Sequence, residues 1–188
     1  MNGVVITGYP GAGKSIAGEM LSGQLDAQMY ETGDVVRQGA ARHFDMPIEE
    51  LSSDKLGDYS TMRRETDGGD YVIQDVFDNI LHSPESHAPT TVISGLRDTE
   101  APSLCEEFFD NFLIVWIQVD FDTRLHRLQD RGRQDEASFT AGDLEARDKR
   151  EDGWGTGDLY EQRDVVVNNT TTLGELYRRL QAVEYLLQ

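Results

Sequence analysis

The chain has 188 residues and a formal net charge of −18, because 35 acidic side chains outnumber 17 basic ones. This charge argues against nucleic acid and anionic membranes as partners, and an even spread of carboxylates is typical of proteins from salt-loving hosts. The single cysteine, Cys105, excludes an internal disulfide and a cysteine-cluster metal site, and we expect it to be a small buried side chain on a helix.

The first predicted strand, at residues 4–7, runs directly into a phosphate-binding motif. Residues 8–15 read Gly-Tyr-Pro-Gly-Ala-Gly-Lys-Ser, which is the P-loop pattern G-x-x-x-x-G-K-S, and a predicted helix follows at 14–25. Its glycines permit the turns that aim backbone N–H groups at a phosphate, and the helix N-terminus adds a positive dipole. Lys14 is predicted to reach the β- and γ-phosphates of ATP, and Ser15 to hold Mg²⁺. The predicted nucleotide-binding residues of this loop are Gly8, Tyr9, Pro10, Gly11, Ala12, Gly13, Lys14 and Ser15.

The rest of the chain alternates apolar runs with helix-like segments, which favours an α/β fold with a parallel sheet. The other predicted strands lie at 27–31, 90–94, 112–119 and 165–167, and the other regular helices at 34–44, 99–110, 122–130 and 173–187. Thr140 and Asp143 form a capping-box pattern that opens one more helix. Residues 46–82 carry no strand pattern, and we predict two or three polar helices there, interrupted near 67–69.

This arrangement resembles the nucleotide-kinase group of P-loop proteins, which includes adenylate kinase, thymidylate kinase and dephospho-CoA kinase. The resemblance covers essentially the whole chain and implies a P-loop NTPase nucleotide-kinase fold, with a five-stranded parallel sheet and helices on both faces. It also implies a single domain whose core comprises residues 1–33, 83–131 and 156–188. A helical acceptor-binding insert would lie at about 34–82 and a lid at about 132–155.

Three short stretches resemble a poorly characterised archaeal family related to adenylate kinase and dephospho-CoA kinase. They are Gly-Asp-Val-Val-Arg at 33–37, Gly-Leu-Arg at 95–97 and Trp-Gly at 154–155. In adenylate kinase, a stretch similar to residues 32–37 places an arginine on the acceptor phosphate, which implies that role for Arg37. Asp34 would orient or deprotonate the acceptor, or hold Mg²⁺ through water. Alternatively, Asp34 only caps a helix and Arg37 lies on its outer face.

The end of the third strand is expected to contribute Gly95 and Arg97 to the acceptor site. In the resembled enzymes an arginine near this point holds the acceptor, and Gly95 would let the backbone approach the ligand. The chain departs from the pattern at Ser94, where P-loop enzymes commonly have an aspartate that helps to hold Mg²⁺. Asp34 or Asp98 would then have to compensate.

Arginines cluster after the fourth strand, and cations are otherwise scarce in this chain. The resemblance implies that Arg127 stacks on adenine, that Arg131 approaches the γ-phosphate, and that Arg147 and Arg150 clamp the transferring group. Such cations suit phosphoryl transfer, which spreads negative charge over the equatorial oxygens. The alternative for Arg147 is a surface ion pair with Asp143, and Arg150 would then be plain surface.

Several further residues have two interpretations each. Residues 152–157 are glycine-dense and are predicted to form the hinge of the lid, where Trp154 packs in the core or against a base. Asn168 and Asn169 end the fifth strand, where the resembled enzymes read adenine, but asparagine can also form a turn. Other candidates are Arg63, Arg64, Arg124 and Arg133.

The sequence therefore predicts a cytoplasmic enzyme that transfers the γ-phosphoryl group of ATP to a nucleoside monophosphate or a dephospho-CoA-like acceptor. No apolar run approaches the ~20 residues of a membrane helix, and no signal peptide precedes the first strand. The expected partner is a small nucleotide-type molecule, without a membrane or nucleic acid. The alternative is an ATP-binding regulator of the adenylate-kinase type, for example in ribosome assembly, with little kinase activity.

Overall fold

A computed structural model describes residues 1–83, 88–131 and 139–187 and shows five parallel strands in the order β2-β3-β1-β4-β5. This confirms the predicted α/β class and the five-stranded parallel sheet. The strands are β1 (Asn2–Thr7), β2 (Gln28–Glu31), β3 (Thr90–Leu96), β4 (Asn111–Gln118) and β5 (Val165–Asn168).

The helices connect the strands in chain order. They are α1 (Lys14–Leu25), α2 (Thr32–Phe44), α3 (Ser53–Asp67), α4 (Tyr71–His82), α5 (Ala101–Phe108), α6 (Phe121–Arg131), α7 (Ala141–Asp152), α8 (Thr156–Glu161) and α9 (Leu173–Leu186), with a 3₁₀ turn at Ile48–Glu50. The predicted capping box is confirmed, because Thr140 and Asp143 exchange side chain-to-backbone hydrogen bonds at the start of α7. None of these described helices is long and apolar enough to cross a membrane.

The sheet is buried on both faces by helices. Because side chains alternate along a strand, Val4 and Ile6 of β1 pack on the face covered by α1 and α9, whereas Val5 faces α4, α5 and α8. Cys105 on α5 is fully buried, as predicted, and burial raises the pKa of its thiol to about 12.

One local prediction is wrong in part. The segment at 46–82 forms two α-helices with a break after Asp67, as predicted, but it is not uniformly polar, because α4 buries an apolar face that includes Tyr71, Ile73 and Val76. The glycine-dense stretch at 152–157 leads from α7 into α8, which begins at Thr156, and its role as the hinge of a lid stays a prediction. Gly155 makes this entry possible with a φ of 106°, a backbone angle that glycine adopts freely.

The carboxyl ends of all five strands lie at one edge of the sheet, since the strands are parallel. The P-loop follows β1, and α2 begins directly after β2. The residues after β3 and β5 reach the same edge. This is the edge at which open α/β sheets bind ligands.

Candidate nucleotide-binding site

The P-loop is built on left-handed glycines. Gly8, Gly11 and Gly13 have φ angles of 137°, 78° and 88°, which other residues rarely adopt. A Cβ atom at Gly13 would lie 2.5 Å from Nδ2 of Asn169, so a side chain would also displace the neighbouring loop. Residues other than glycine would therefore strain the backbone at these three positions.

The ammonium group of Lys14 folds back over this loop. Its Nζ donates to the backbone oxygens of Gly8 at 2.6 Å and Tyr9 at 3.0 Å. Burial lowers the pKa of Lys14 to about 7, and the nearby arginines add to this lowering, whereas the carboxylate of Glu151 opposes it. The positive charge of Lys14 is thus held less firmly than that of an exposed lysine, and a bound anion would favour it.

This lowered pKa predicts that the protein takes up a proton when a polyphosphate binds. The phosphates favour the charged ammonium and raise the pKa of Lys14, so the complex holds more protons than the free protein above pH 7. The affinity for a non-hydrolysable ATP analogue should therefore fall as pH rises above about 7. Calorimetry at about pH 8.5 in two buffers of different ionisation enthalpy should show proton uptake that approaches one per site. Lys14→Arg, whose guanidinium does not titrate, should remove that uptake, and a wild-type uptake of zero would contradict the account.

A cavity of about 720 Å³ opens beside the P-loop, between it and parts of α2, α3, α6 and α7. Its lining includes most of the residues singled out in the sequence. These are Pro10, Gly11, Gly13, Lys14, Ser15, Arg37, Gly95, Arg97, Arg127, Arg131, Arg147 and Arg150.

Five predicted site residues do not line this cavity. Gly8 and Ala12 are buried, and Tyr9 contacts Trp116 and Asp152. Asp34 is exposed and forms an ion pair with Arg37, so the structure places its carboxylate outside the cavity. Asn168 uses its Oδ1 to accept hydrogen bonds from the Thr170 backbone and hydroxyl, at 2.9 and 2.6 Å, which is a local turn.

Of the two asparagines that the sequence analysis named at this strand end, Asn169 is the one that borders the P-loop. It is buried, lines the cavity, and donates from Nδ2 to the backbone oxygen of Ala12 at 2.8 Å. Its backbone oxygen accepts a 2.7 Å hydrogen bond from Nη2 of Arg127. Asn169 therefore fixes both the P-loop and the arginine predicted to contact the base.

A buried carboxylate that the sequence analysis missed lies among the cations. The side chain of Glu151 on α7 is only 3% exposed, with Oε2 3.1 Å from Nε of Arg97 and Oε1 3.6 Å from Nε of Arg147. Burial favours protonation of Glu151, but Arg97, Lys14 and Arg147 outweigh burial and hold its pKa below the ordinary value. Glu151 is thus ionised. In the sequence, Glu151 could have been recognised only by its i,i+4 spacing from Arg147, because this spacing places both side chains on one helix face.

The residues that could hold a cation differ in part from those that the sequence analysis predicted. The Ser15 hydroxyl donates to the carboxylate of Glu31 at the end of β2, and Ser94 presents a buried hydroxyl without a hydrogen-bond partner among the described residues. All three line the cavity. Asp98, expected to compensate for Ser94, is instead buried against Arg64. Within residues 1–83, 88–131 and 139–187 there is no group of three or more His, Cys, Asp or Glu able to hold a metal.

The helix α7 is attached to the P-loop by two further contacts. Arg124 donates two hydrogen bonds to the carboxylate of Asp148, at 2.9 and 2.6 Å, and a third to the backbone oxygen of Pro10 at 3.1 Å. The Tyr9 hydroxyl donates to Oδ1 of Asp152 at 2.8 Å, which contributes to raising the pKa of Tyr9 to about 12 after the larger effect of burial. Arg124 is thus a structural residue, and Arg133 lies outside the described residues.

Trp154 lines the cavity and is not part of the apolar core. Its ring lies beneath two guanidinium groups, with Cζ of Arg64 4.7 Å and Cζ of Arg150 5.7 Å from the ring centroid. Arg63 does not line the cavity. It donates to the Tyr59 hydroxyl at 2.7 Å and pairs with Asp67. An aromatic wall flanked by cations therefore borders the cavity on the side of α3.

Comparisons with known sequences give a consistent picture. The family model described as "AAA domain" matches residues 4–151. A UPF0200 protein of Methanoregula boonei is 30% identical over 180 residues, which cover 96% of this chain and 94% of that protein. A UPF0200/UPF0201 protein of Archaeoglobus fulgidus is 29% identical over 184 residues, but the chain spans only 55% of its length.

Among solved structures, a shikimate kinase from Bacteroides thetaiotaomicron superposes with a TM-score of 0.62 over 98% of this chain and 97% of its own. Its sequence is 17% identical, so the likeness establishes the fold alone. The P-loop kinase fold predicted from the sequence is confirmed by this match.

Proposed function

We propose that this chain, which belongs to the family described as the AAA domain and to the archaeal UPF0200 proteins, is a small-molecule kinase. It would bind MgATP at the P-loop and transfer the γ-phosphoryl group to a second small molecule in the same cavity. The acceptor we favour is a nucleoside monophosphate or a dephospho-CoA-like compound.

The convergence of cations on the P-loop carries this proposal. The chain has only 17 basic side chains against 35 acidic ones. Seven of the basic ones line this single cavity, and they come from separate parts of the chain. They are Lys14, Arg37, Arg97, Arg127, Arg131, Arg147 and Arg150. Three carboxylates, those of Glu31, Asp130 and Glu151, line the same cavity, so cations remain in excess there in a protein of net charge −18. Such a local excess of positive charge suits a strongly anionic ligand.

The lining of the cavity supports two subsites. The P-loop, Arg127 and Asn169 would hold ATP, with its base towards the exposed side chains of Ile16 and Leu173. The opposite side is formed by α2 and α3, and there apolar Val36 and Leu56 would hold the acceptor.

Charged and aromatic groups complete the acceptor side. Arg37 would bind its anionic group, with Trp154 beside it as the aromatic wall. Arg97, which shares the carboxylate of Glu151 with Arg147, would contact both that group and the γ-phosphate. We assign α2 to α4 the role of an acceptor arm and α7 that of a lid. Asp34, which the structure places outside the cavity, would act by orienting Arg37.

The residues of the site fit a magnesium ion bound together with ATP. Mg²⁺ typically takes one or two protein oxygens plus phosphate oxygens and water, which Ser15 and Glu31 can supply. The unpartnered hydroxyl of Ser94 suits a metal-bound water. When bound, Mg²⁺ supplies charge neutralisation at the β- and γ-phosphate oxygens.

The protein groups would act mainly by position and charge. Lys14 would hold the β- and γ-phosphates, while Arg131 and Arg147 stabilise the charge that spreads over the equatorial oxygens during transfer. A phosphate oxygen of a nucleoside monophosphate, which carries no proton, attacks the γ-phosphorus as the bond to the leaving ADP breaks, with both oxygens in line. A hydroxyl acceptor of the dephospho-CoA type would in addition release its proton to solvent. The lid helix α7 would exclude water, so that the acceptor and not water receives the phosphoryl group.

An acceptor screen tests this function. Purified protein with MgATP is incubated with AMP, CMP, GMP, UMP or dephospho-CoA, and phosphorylated products are separated and quantified. We expect one acceptor to be phosphorylated at a rate within the ~1–100 s⁻¹ range of kinases. ATP binding with only slow hydrolysis, unchanged by any acceptor, would contradict the kinase and favour the ATP-binding regulator.

A further inference from the structure

Glu151 is an anion inside a site built for anions. Its carboxylate is buried, ionised and close to Arg97, Arg147 and Lys14, the cations to which we assign phosphate contacts. A polyphosphate entering this cavity would meet like charge at that point. If phosphate oxygens and the carboxylate of Glu151 contacted the same cations together, the two anions would repel each other.

The contact between Glu151 and Arg97 is close but poorly aligned. Oε2 of Glu151 and Nε of Arg97 are 3.1 Å apart, yet neither atom has a hydrogen-bond partner among the described residues. Because hydrogen bonds weaken steeply with poor angles, the carboxylate neutralises this arginine without satisfying it. Phosphate oxygens that align with the N–H groups would be better partners.

We propose that Glu151 determines the phosphate specificity of the site by holding the place of the γ-phosphate until ATP displaces it. This inference rests on the proposed function, since it takes the cavity to be an ATP site. In the empty protein the carboxylate keeps the cations from repelling one another, which buried like charges would otherwise do. The γ-phosphate then takes over Arg97 and Arg147, and the carboxylate leaves.

The position of Glu151 on α7 couples this exchange to the lid. The same helix contacts the P-loop through Asp148 and Asp152, which pair with Arg124 and Tyr9. ADP lacks the group that displaces the carboxylate, so Glu151 would remain in place when ADP is bound. The carboxylate thereby opposes binding of ATP but not of ADP.

Calorimetric titration of Glu151→Gln tests this exchange. The probes are the magnesium complexes of AMP-PNP, a non-hydrolysable ATP analogue, and of ADP. We expect AMP-PNP to bind the variant on the order of tenfold or more tightly than it binds wild type, because the competing charge is gone. The affinity for ADP should change less than about threefold, within the range that a single neutral hydrogen bond supplies.

Glu145→Gln is the matched control. It makes the same chemical change six residues earlier on α7, at an exposed carboxylate that does not line the cavity. It should leave the ratio of AMP-PNP to ADP affinities unchanged. Glu151→Asp, which keeps the charge but shortens the side chain, should tighten AMP-PNP binding to a smaller extent and serves if Glu151→Gln does not fold.

The outcomes separate this inference from the proposed function. If wild type binds AMP-PNP but the folded Glu151 variants bind it equally or more weakly, Glu151 merely positions the arginines and the exchange is wrong. If both nucleotides tighten to the same extent, the carboxylate does not hold the place of the γ-phosphate and the inference is again overturned. If wild type binds neither nucleotide, the proposed function fails with it.

Discussion

Lys14→Ala is expected to lower kcat for MgATP-dependent transfer by about 10³-fold or more, within the range found for removing one charge-stabilising group from a transfer site. Its Nζ contacts only backbone oxygens of the P-loop among the hydrogen bonds found in the described residues, at 2.6 and 3.0 Å. The ammonium is therefore held in place for a ligand.

The same variant should fold normally. Burial lowers the pKa of Lys14 to about 7 in the folded protein, whereas an unfolded chain keeps the ordinary value of 10.5. The unfolded state then binds this proton more tightly, so the charged lysine opposes folding below pH 10, and its removal does not lower the free energy of unfolding.

Kinetics and urea denaturation of purified variants measure the two halves of this prediction. Lys149→Ala is the matched control, since it makes the same substitution at an exposed position of α7 that does not line the cavity. It should leave kcat within about twofold of wild type, as expected for a surface substitution. Wild-type turnover in Lys14→Ala would remove the P-loop from the mechanism.

Arg64→Met should destabilise the protein by about 3–5 kcal/mol, the cost of breaking a buried ion pair from one side. Arg64 and its partner Asp98 have side chains that are only 14% and 4% exposed. Arg64 also donates to the backbone oxygen of Gly69 at 3.1 Å and covers the ring of Trp154. Methionine fills much of the volume but leaves the carboxylate of Asp98 buried without its charge partner.

The size of this loss should depend on pH. Burial raises the pKa of Asp98 even in the presence of Arg64, and removing the guanidinium raises it further. A carboxyl whose pKa is higher in the folded state takes up a proton on folding, so the penalty grows as pH rises through that folded-state pKa. Urea denaturation should therefore show a larger loss at about pH 8 than at about pH 5.

Two variants show whether the buried charge is responsible. Adding Asp98→Asn to Arg64→Met should recover part of the stability at pH 8, because no unpaired charge remains. Arg63→Met removes the neighbouring arginine, whose partners Asp67 and Asp75 are 44% and 35% exposed, and should cost only about 1 kcal/mol. A loss below about 1 kcal/mol in Arg64→Met at pH 8 would mean that Asp98 finds another partner.

The parts of the fold that depend on local sequence were predictable. The P-loop combines a buried strand, three glycines with positive φ and a helix that begins at Lys14, and each of these features is readable from neighbouring residues. The parallel direction of the strands follows from the same pattern, because alternating strands and helices form parallel sheets. The order of the strands came from the structure and was not predicted. The end of β5 shows the limit. A shift of one residue turns a side chain to the other face, and this decides that Asn169 and not Asn168 borders the P-loop.

The carboxylates of the site could not be identified from the sequence because their partners are distant in the chain. Glu31 meets Ser15 only after β2 and β1 are placed in one sheet with β3 between them. Glu151 meets Arg97 only when α7 docks on the P-loop. In addition, a carboxylate is not expected in a phosphate-binding site when its neighbours are unknown, since it would repel the phosphate. Only the surrounding cations, which the fold brings together, make Glu151 part of the site.

The most direct measurement is a crystal structure with Mg²⁺ and AMP-PNP bound. The account predicts the β- and γ-phosphates within hydrogen-bond distance of the P-loop N–H groups and Nζ of Lys14. It also predicts that guanidinium groups from α6, α7 and the end of β3 contact the γ-phosphate. A nucleotide bound elsewhere, or phosphates in the P-loop with those arginines directed into solvent, would contradict the proposal that this cavity is the site of phosphoryl transfer.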